Sequence, residues 1–141
     1  MTAAGPAERR EPRVFVLQLP AALELLNANR PVHWRVRARK VAAIRNAAGW
    51  AARHARLPAL ERARVDFVVN PRPGVTRYDP HNWWGSAKAA IDGLVDARVL
   101  PDDDSTHLVA TEARPGVPVK GGRLDLVITE VLDEPVGPPQ S

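Results

Sequence analysis

Tyr78-Asp79-Pro80-His81-Asn82-Trp83-Trp84-Gly85-Ser86-Ala87-Lys88-Ala89-Ala90-Ile91-Asp92-Gly93-Leu94-Val95-Asp96-Ala97-Arg98 passes from a loop into one amphipathic helix. Asn82 can serve as its N-cap, and Trp84, Ala87, Ile91, Leu94 and Val95 recur at helical spacing, predicting a helix over residues 83–98 with one apolar side. Leu100-Pro101-Asp102-Asp103-Asp104 then reads as a turn. Acids therefore stand beyond both ends of the helix, with His81 beside one end and Lys88 within it. A helix of roughly fifteen residues spans about 22 Å. Asp79 and Asp103 can meet only if the chain after Asp104 folds back against the helix.

Working outward, residues 13–19 alternate Val14 and Val16 with Phe15, Leu17 and Leu19, which predicts a strand stopped by Pro20. A long helix is expected over residues 33–56. Its stripe is Val41, Ile44, Ala48, Ala51 or Ala52, and Ala55, and Pro58 ends it. Residues 64–70 alternate as a second strand through Val65, Phe67 and Val69, and Pro71-Arg72-Pro73-Gly74 breaks into a loop. Two further strands, 107–113 and 123–132, read as partners across a wide hairpin loop. The order β-α-β-α-β-β predicts an α+β fold, a small mixed β-sheet packed by two helices.

A chain of 141 residues with 45% apolar content makes one domain. Its expected bounds are 13–133, with Pro-rich or charged tails at 1–12 and 134–141. The sequence has no cysteine, which excludes disulfides, cysteine-zinc sites and thiol nucleophiles. It has no apolar signal region and no apolar run long enough to span a bilayer, so a soluble, cytoplasmic protein without membrane partners is expected.

The net charge is +4, and its placement says more than its total. Residues 30–64 hold ten basic side chains against the single acid Glu61, whereas residues 79–104 hold six acids against Lys88 and Arg98. Acids clustered in a basic protein suit a divalent cation, Mg²⁺ or Mn²⁺, held against a polyanion whose phosphates the arginines grip. Arg35, Arg37, Arg39, Lys40 and Arg77 are the candidates for DNA contact. Each residue alone has a plainer reading: Asp79 as a capping residue, the three aspartates as a solvated turn, and Lys88–Asp92 as a surface pair.

Together these residues resemble the RusA family of Holliday junction resolvases. Asp79-Pro80-His81-Asn82 carries the resemblance, with Lys88-Ala89-Ala90, Asp92-Gly93-Leu94, Leu100-Pro101-Asp102-Asp103, and Gly122-Arg123-Leu124-Asp125-Leu126 through Thr129-Glu130. The resemblance runs from about Val14 to Val131. It implies a RusA-like fold, a homodimer, and Mg²⁺- or Mn²⁺-dependent cleavage of opposed strands in four-way junction DNA. Asp79, Lys88 and Asp103 match the family's catalytic positions, Asp79 and Asp103 its metal ligands; Asp102 and Asp104 lie close enough to Asp103 that any of the three can align. The family's Asp-x-Asp-Asn pattern has His81 in place of its second aspartate here, and the segment from Trp83 to Ala87 is longer than in the simplest members. His81 is then a substitute metal ligand, a bystander in a loop, or the mark of a DNA-binding protein that no longer cleaves. A third possibility is an interaction module in which Trp34, Trp50, Trp83 and Trp84 pack a core.

Overall fold

The computed structural model describes residues 10–132. β1 (Val14–Gln18) leads through a loop to α1 (Trp34–His54) and then to β2 (Ala63–Asn70). A single 3₁₀ turn, Pro80–Trp83, runs directly into α2 (Trp84–Asp96). β3 (Leu108–Ala110), β4 (Ala113–Pro115) and β5 (Arg123–Glu130) complete a mixed sheet. The fold is α+β, two helices on a small mixed sheet.

The strands lie in the order β1-β5-β2, with β3 and β4 both along the far edge of β2. β5 is antiparallel to β1 and β2, while β3 and β4 run parallel to β2. The expected hairpin between the last two strands is therefore not formed: β2 lies between them. The connection after β4 crosses the end of β2 instead, with Gly116 N–H donating to the Val69 carbonyl and Val119 N–H to that of Pro71. A side chain at Gly116 would collide with Asn70 Oδ1 and stand 2.7 Å from Val68 Cγ1, so the crossing is tight. The expected strand 107–113 is also broken in two. Its pairing lapses at Thr111 and Glu112, where the Glu112 carbonyl accepts from Phe67 N–H.

Period-two alternation explains which sheet face is buried. Phe15 and Leu17 of β1, Leu124, Leu126 and Ile128 of β5, and Val65, Phe67 and Val69 of β2 share one face through the strand register. The core there also takes in Ile91 and Leu94 of α2. Full burial of each such side chain contributes about 1.5–3 kcal/mol. On the other face Asp66, fully buried, is held by Arg64 at 2.9 Å and Arg114 at 2.5 Å. A buried carboxylate needs such partners.

The buried stripe of α1 is Ile44, Ala48, Gly49 and Ala52, with Val41 and Ala51 half-buried against the same core; it follows the expected stripe except at Ala55, which lies beyond the helix end and is exposed. Small residues let α1 and α2 cross closely. Both helices stop short of the expected ends, and each is followed by an arginine of positive φ, Arg56 at 55° and Arg98 at 62°, where glycine is the usual occupant. Trp34, Trp50 and Trp84 are exposed, so these indoles do not pack the core as the interaction-module reading supposed.

Arg10, placed in a tail by composition, is bound to the β5 carboxylate of Glu130, which also accepts from Arg13 at 2.9 Å. Of the expected tails, residues 1–9 and 134–141 lie outside the described residues, as does residue 133 at the end of the expected domain. Hydrogen bonds from Arg10 and then Arg13 hold the Glu130 carboxyl well below the usual carboxylate range. A depressed folded pKa gives stability that is complete above the unfolded value of about 4.3 and is lost as pH falls below it. Glu130→Gln is expected to lower the Tm clearly at pH 7 and less at pH 3, read by circular dichroism. A gap that stayed constant between the two pH values would assign the loss to packing instead of charge.

Candidate active site and nucleic-acid interface

The start of the candidate site is set by Asp79. Its Oδ1 accepts from the His81 backbone N–H at 3.0 Å and lies 3.0 Å from His81 Nδ1. Pro80 follows at the first turn, where its missing N–H costs nothing. Asp79, not Asn82, is thus the cap, and it caps a 3₁₀ turn one step before α2 begins. The backbone bond from His81, then the imidazole contact, holds the Asp79 carboxyl below its ordinary value. Both side chains stay open to solvent, 62% exposed for Asp79 and 74% for His81. No bond among the described residues falls on Asp79 Oδ2.

Beyond α2 the chain does fold back. Val99 and Leu100 are buried, Val99 N–H donates to the Leu94 carbonyl, and the Val99 carbonyl accepts from Leu60 N–H. That anchor returns the next residues along the helix. Asp103 forms an ion pair with Lys88 across fifteen residues of sequence, and Lys88 Nζ also donates to Asp92 Oδ1 at 2.7 Å. All three side chains are half-buried.

The two neighbouring aspartates do other work. Asp102 Oδ1 accepts from Asp103 N–H at 2.7 Å, and Asp104 Oδ1 accepts from Thr106 and His107 N–H. Of the three, only Asp103 reaches the lysine. The Lys88 hydrogen bond, the largest influence, holds the Asp103 carboxyl below its usual value. Burial pulls the Lys88 ammonium down, but the bonds to Asp103 and Asp92 more than offset it and leave it above the ordinary lysine value. Lys88 is therefore a fixed cation at neutral pH, unsuited to act as a base.

In kind, the carboxylates of Asp79, Asp92 and Asp103 are donors that suit a hard divalent cation. Among the described residues no three acidic or histidine side chains converge to hold a metal ion. The chain would supply one or two carboxylates, and water and phosphate the rest, which is the coordination Mg²⁺ favours. No hydrogen bond or ion pair among the described residues joins Asp79 or His81 to Lys88 or Asp103.

The basic stretch divides in two. Arg45 is paired with Asp96 at 2.6 Å, Arg53 donates to the Asp96 carbonyl, Arg62 to that of Thr106, and Arg64 to Asp66. The first three tie distant parts of the chain together, and Arg64 braces the buried Asp66 of its own strand. Arg35, Arg37, Arg39 and Lys40, on the first two turns of α1, have no carboxylate partner among the described residues. Arg35 stands over the exposed Trp34 ring at 5.1 Å, and Arg37 lies beside Gly85, with Nη2 3.3 Å from where a Cβ would be. Lys40 and Arg77 line a cleft of about 880 Å³ next to the Asp79 turn.

That cleft was not legible in the sequence. Segments within residues 22–32 and 69–83 come together with Lys40 and Gly121-Gly122 to form it, and only the loop of Arg72 and Arg77 hinted at it. Against protein-family models and curated proteins, the chain finds no match. No helix among the described residues is long and apolar enough to cross a membrane.

Proposed function

We propose that this protein is a divalent-metal-dependent endonuclease of the RusA type that resolves four-way DNA junctions in recombination and repair. The observation that carries the reading is the Lys88–Asp103 pair with Asp92: three charged groups gathered in one half-buried cluster, where the returning turn meets the helix that the Asp79 turn leads into. Asp79 and Asp103 would hold Mg²⁺ or Mn²⁺, with His81 and Asp102 the nearest additional donors. Bound there, the metal would polarise the scissile phosphate and lower the pKa of an attacking water. Lys88, a permanent cation, would stabilise negative charge growing on the phosphoryl oxygens. Asp92 and Asp103 orient the ammonium, and the low pKa values of Asp79 and Asp103 keep both carboxylates ionised through the neutral range.

Two opposed cuts call for two sites related by a two-fold axis, so the working form would be a homodimer, acting in the cytoplasm. The unpaired cations at the start of α1 would grip the junction arms. Replacing Arg35, Arg39 and Lys40 by alanine is expected to weaken binding to all DNA and to flatten log K against log salt by about 0.9 for each phosphate no longer neutralised. Weaker binding with an unchanged slope would mean that these residues support the fold instead.

A second reading, a junction binder without cleavage, is favoured by one feature: position 81 offers an imidazole already hydrogen-bonded to Asp79 where a second carboxylate would serve a metal. The deciding experiment compares wild type with Asp79→Asn and Asp103→Asn on a four-way junction assembled from oligonucleotides. Nicking by wild type with Mg²⁺ or Mn²⁺, abolished in both variants while binding in EDTA is equal or tighter, supports the nuclease. Tight binding without nicking by wild type in either metal supports the binder. If the nuclease holds and His81 is a ligand, Mn²⁺ will be preferred over Mg²⁺, and His81→Asp will reverse that preference.

A further inference from the structure

The cleft beside the Asp79 turn is basic in an uncompensated way. Arg30, Lys40, Arg72 and Arg77 line it, and none has a carboxylate partner among the described residues; Glu24 is the only acid in the lining. Elsewhere six arginines, Arg10, Arg13, Arg45, Arg64, Arg114 and Arg123, sit on carboxylates. Four cations left together around one hollow call for an anion from outside the chain.

Two aromatic rings line the same hollow. Tyr78 and Trp83 meet edge to face with centroids 5.9 Å apart, and Tyr78 is fixed by its hydroxyl donating to the Val69 carbonyl at 3.4 Å. A rigid aromatic corner among unpaired cations is the chemistry that binds unpaired nucleotides, whose bases stack while their phosphates are gripped. Asn82, also in the lining, has a half-buried carboxamide with no hydrogen bond among the described residues, free to meet a base edge. The volume, about 880 Å³, is that of a small-ligand site. Duplex DNA, gripped through phosphates on its outside, does not enter such a hollow, whereas an unstacked nucleotide does.

We infer that this cleft binds an unpaired segment of DNA strand, with its phosphates on Arg30, Lys40, Arg72 and Arg77 and a base against Tyr78 and Trp83. The inference deepens the proposed function and rests on it only for the source of the strand, the branch point of a junction. Tyr78 is joined directly to Asp79, so a strand held here runs beside the candidate active site.

The test uses the full chain in EDTA, with fluorescein-labelled ten-residue oligothymidylate and an abasic deoxyribose-phosphate chain of the same length, read by anisotropy. Wild type should bind oligothymidylate about tenfold tighter than the abasic chain, the size of one stacked base. Trp83→Leu should erase that difference. Arg72→Ala with Arg77→Ala, both exposed and unpaired, should weaken both probes and lower the salt slope, and Glu24→Gln should tighten both. Circular dichroism melts check that the variants fold; if Trp83→Leu does not, the base preference of wild type and the response of the exposed arginine variant decide. Equal binding of the two probes by wild type, or displacement of oligothymidylate by poly-glutamate at equal charge, would overturn the inference. Junction cleavage measured alongside separates the two ideas: cutting without a base preference sinks only the cleft assignment, and a base preference without cutting sinks only the nuclease.

Discussion

Replacing Lys88 by methionine is expected to slow metal-dependent junction cleavage by about a hundred- to a thousandfold, the usual loss when one preorganised charge aimed at a transition state is removed. Methionine keeps most of the stem and removes the ammonium. Asp92 and Asp103 then face each other without the cation between them, and like charges so placed raise the pKa of one carboxyl. Junction affinity in EDTA should change little, since the lysine can neutralise one phosphate at most. Because the ammonium is held above its ordinary value by its two aspartates, the wild-type rate should show no loss of the Lys88 proton through the neutral range. Lys88→Arg, which keeps the charge but not its shape, should recover part of the rate. Full activity in Lys88→Met would remove the lysine from the chemistry and leave it as a strut between α2 and the returning turn.

The largest expected loss of stability comes from Gly93. An ideal Cβ there would collide with the Arg45 carbonyl oxygen and stand 2.9 Å from both Ala48 Cβ and Gly49 N. None of these is the far end of a flexible side chain, so relief requires the two helices to separate. Overpacking of this kind costs about 1–3 kcal/mol and sometimes more. Alanine recovers only about 1 kcal/mol over glycine from helix propensity. Gly93→Ala should therefore be a net destabilisation and Gly93→Val should fail to fold, as judged by urea unfolding. Gly49→Ala supplies the contrast. Its nearest neighbour would be the Gly93 carbonyl at 3.2 Å, a contact that a shift of a few tenths of an ångström relieves, and its effect should be small. A Gly93→Ala protein as stable as wild type would mean that the helix crossing is looser than these distances require.

Long elements with a strong period were legible from the residues: β1, α1, β2, α2 and β5 all lie where alternation or helical spacing put them, within a few residues. The pairing of the last strands was not. β3 and β4 have three residues each and run parallel to β2, so neither length nor alternation marks them, and a glycine-rich connection suits a crossing over β2 as well as a hairpin. Both helix ends were overestimated because arginine gives no stop signal, although Arg56 and Arg98 take the conformation glycine usually supplies.

For the site, spacing stated the condition that the chain after the helix must return, but the return depends on Val99 and Leu100 entering the core, a matter of tertiary packing. Which of three consecutive aspartates meets Lys88 was equally beyond periodicity. It follows from Asp102 and Asp104 being engaged by backbone N–H groups. The division of the basic stretch into paired and unpaired arginines was hidden for the same reason where the partner lies far along the chain, as Asp96 does from Arg45 and the Thr106 carbonyl from Arg62; only Arg64 and Asp66, two apart on β2, are neighbours in sequence.

The central claim is that these charged residues form a phosphodiester-cleaving site for branched DNA. Single-turnover cleavage of an end-labelled four-way junction by wild-type protein, resolved on a denaturing gel, tests it most directly. The account predicts cuts in two opposed strands at related positions with Mg²⁺ or Mn²⁺, none in EDTA, and far less product from a linear duplex of the same sequence. An intact junction in either metal, at protein concentrations that saturate it, would contradict the account.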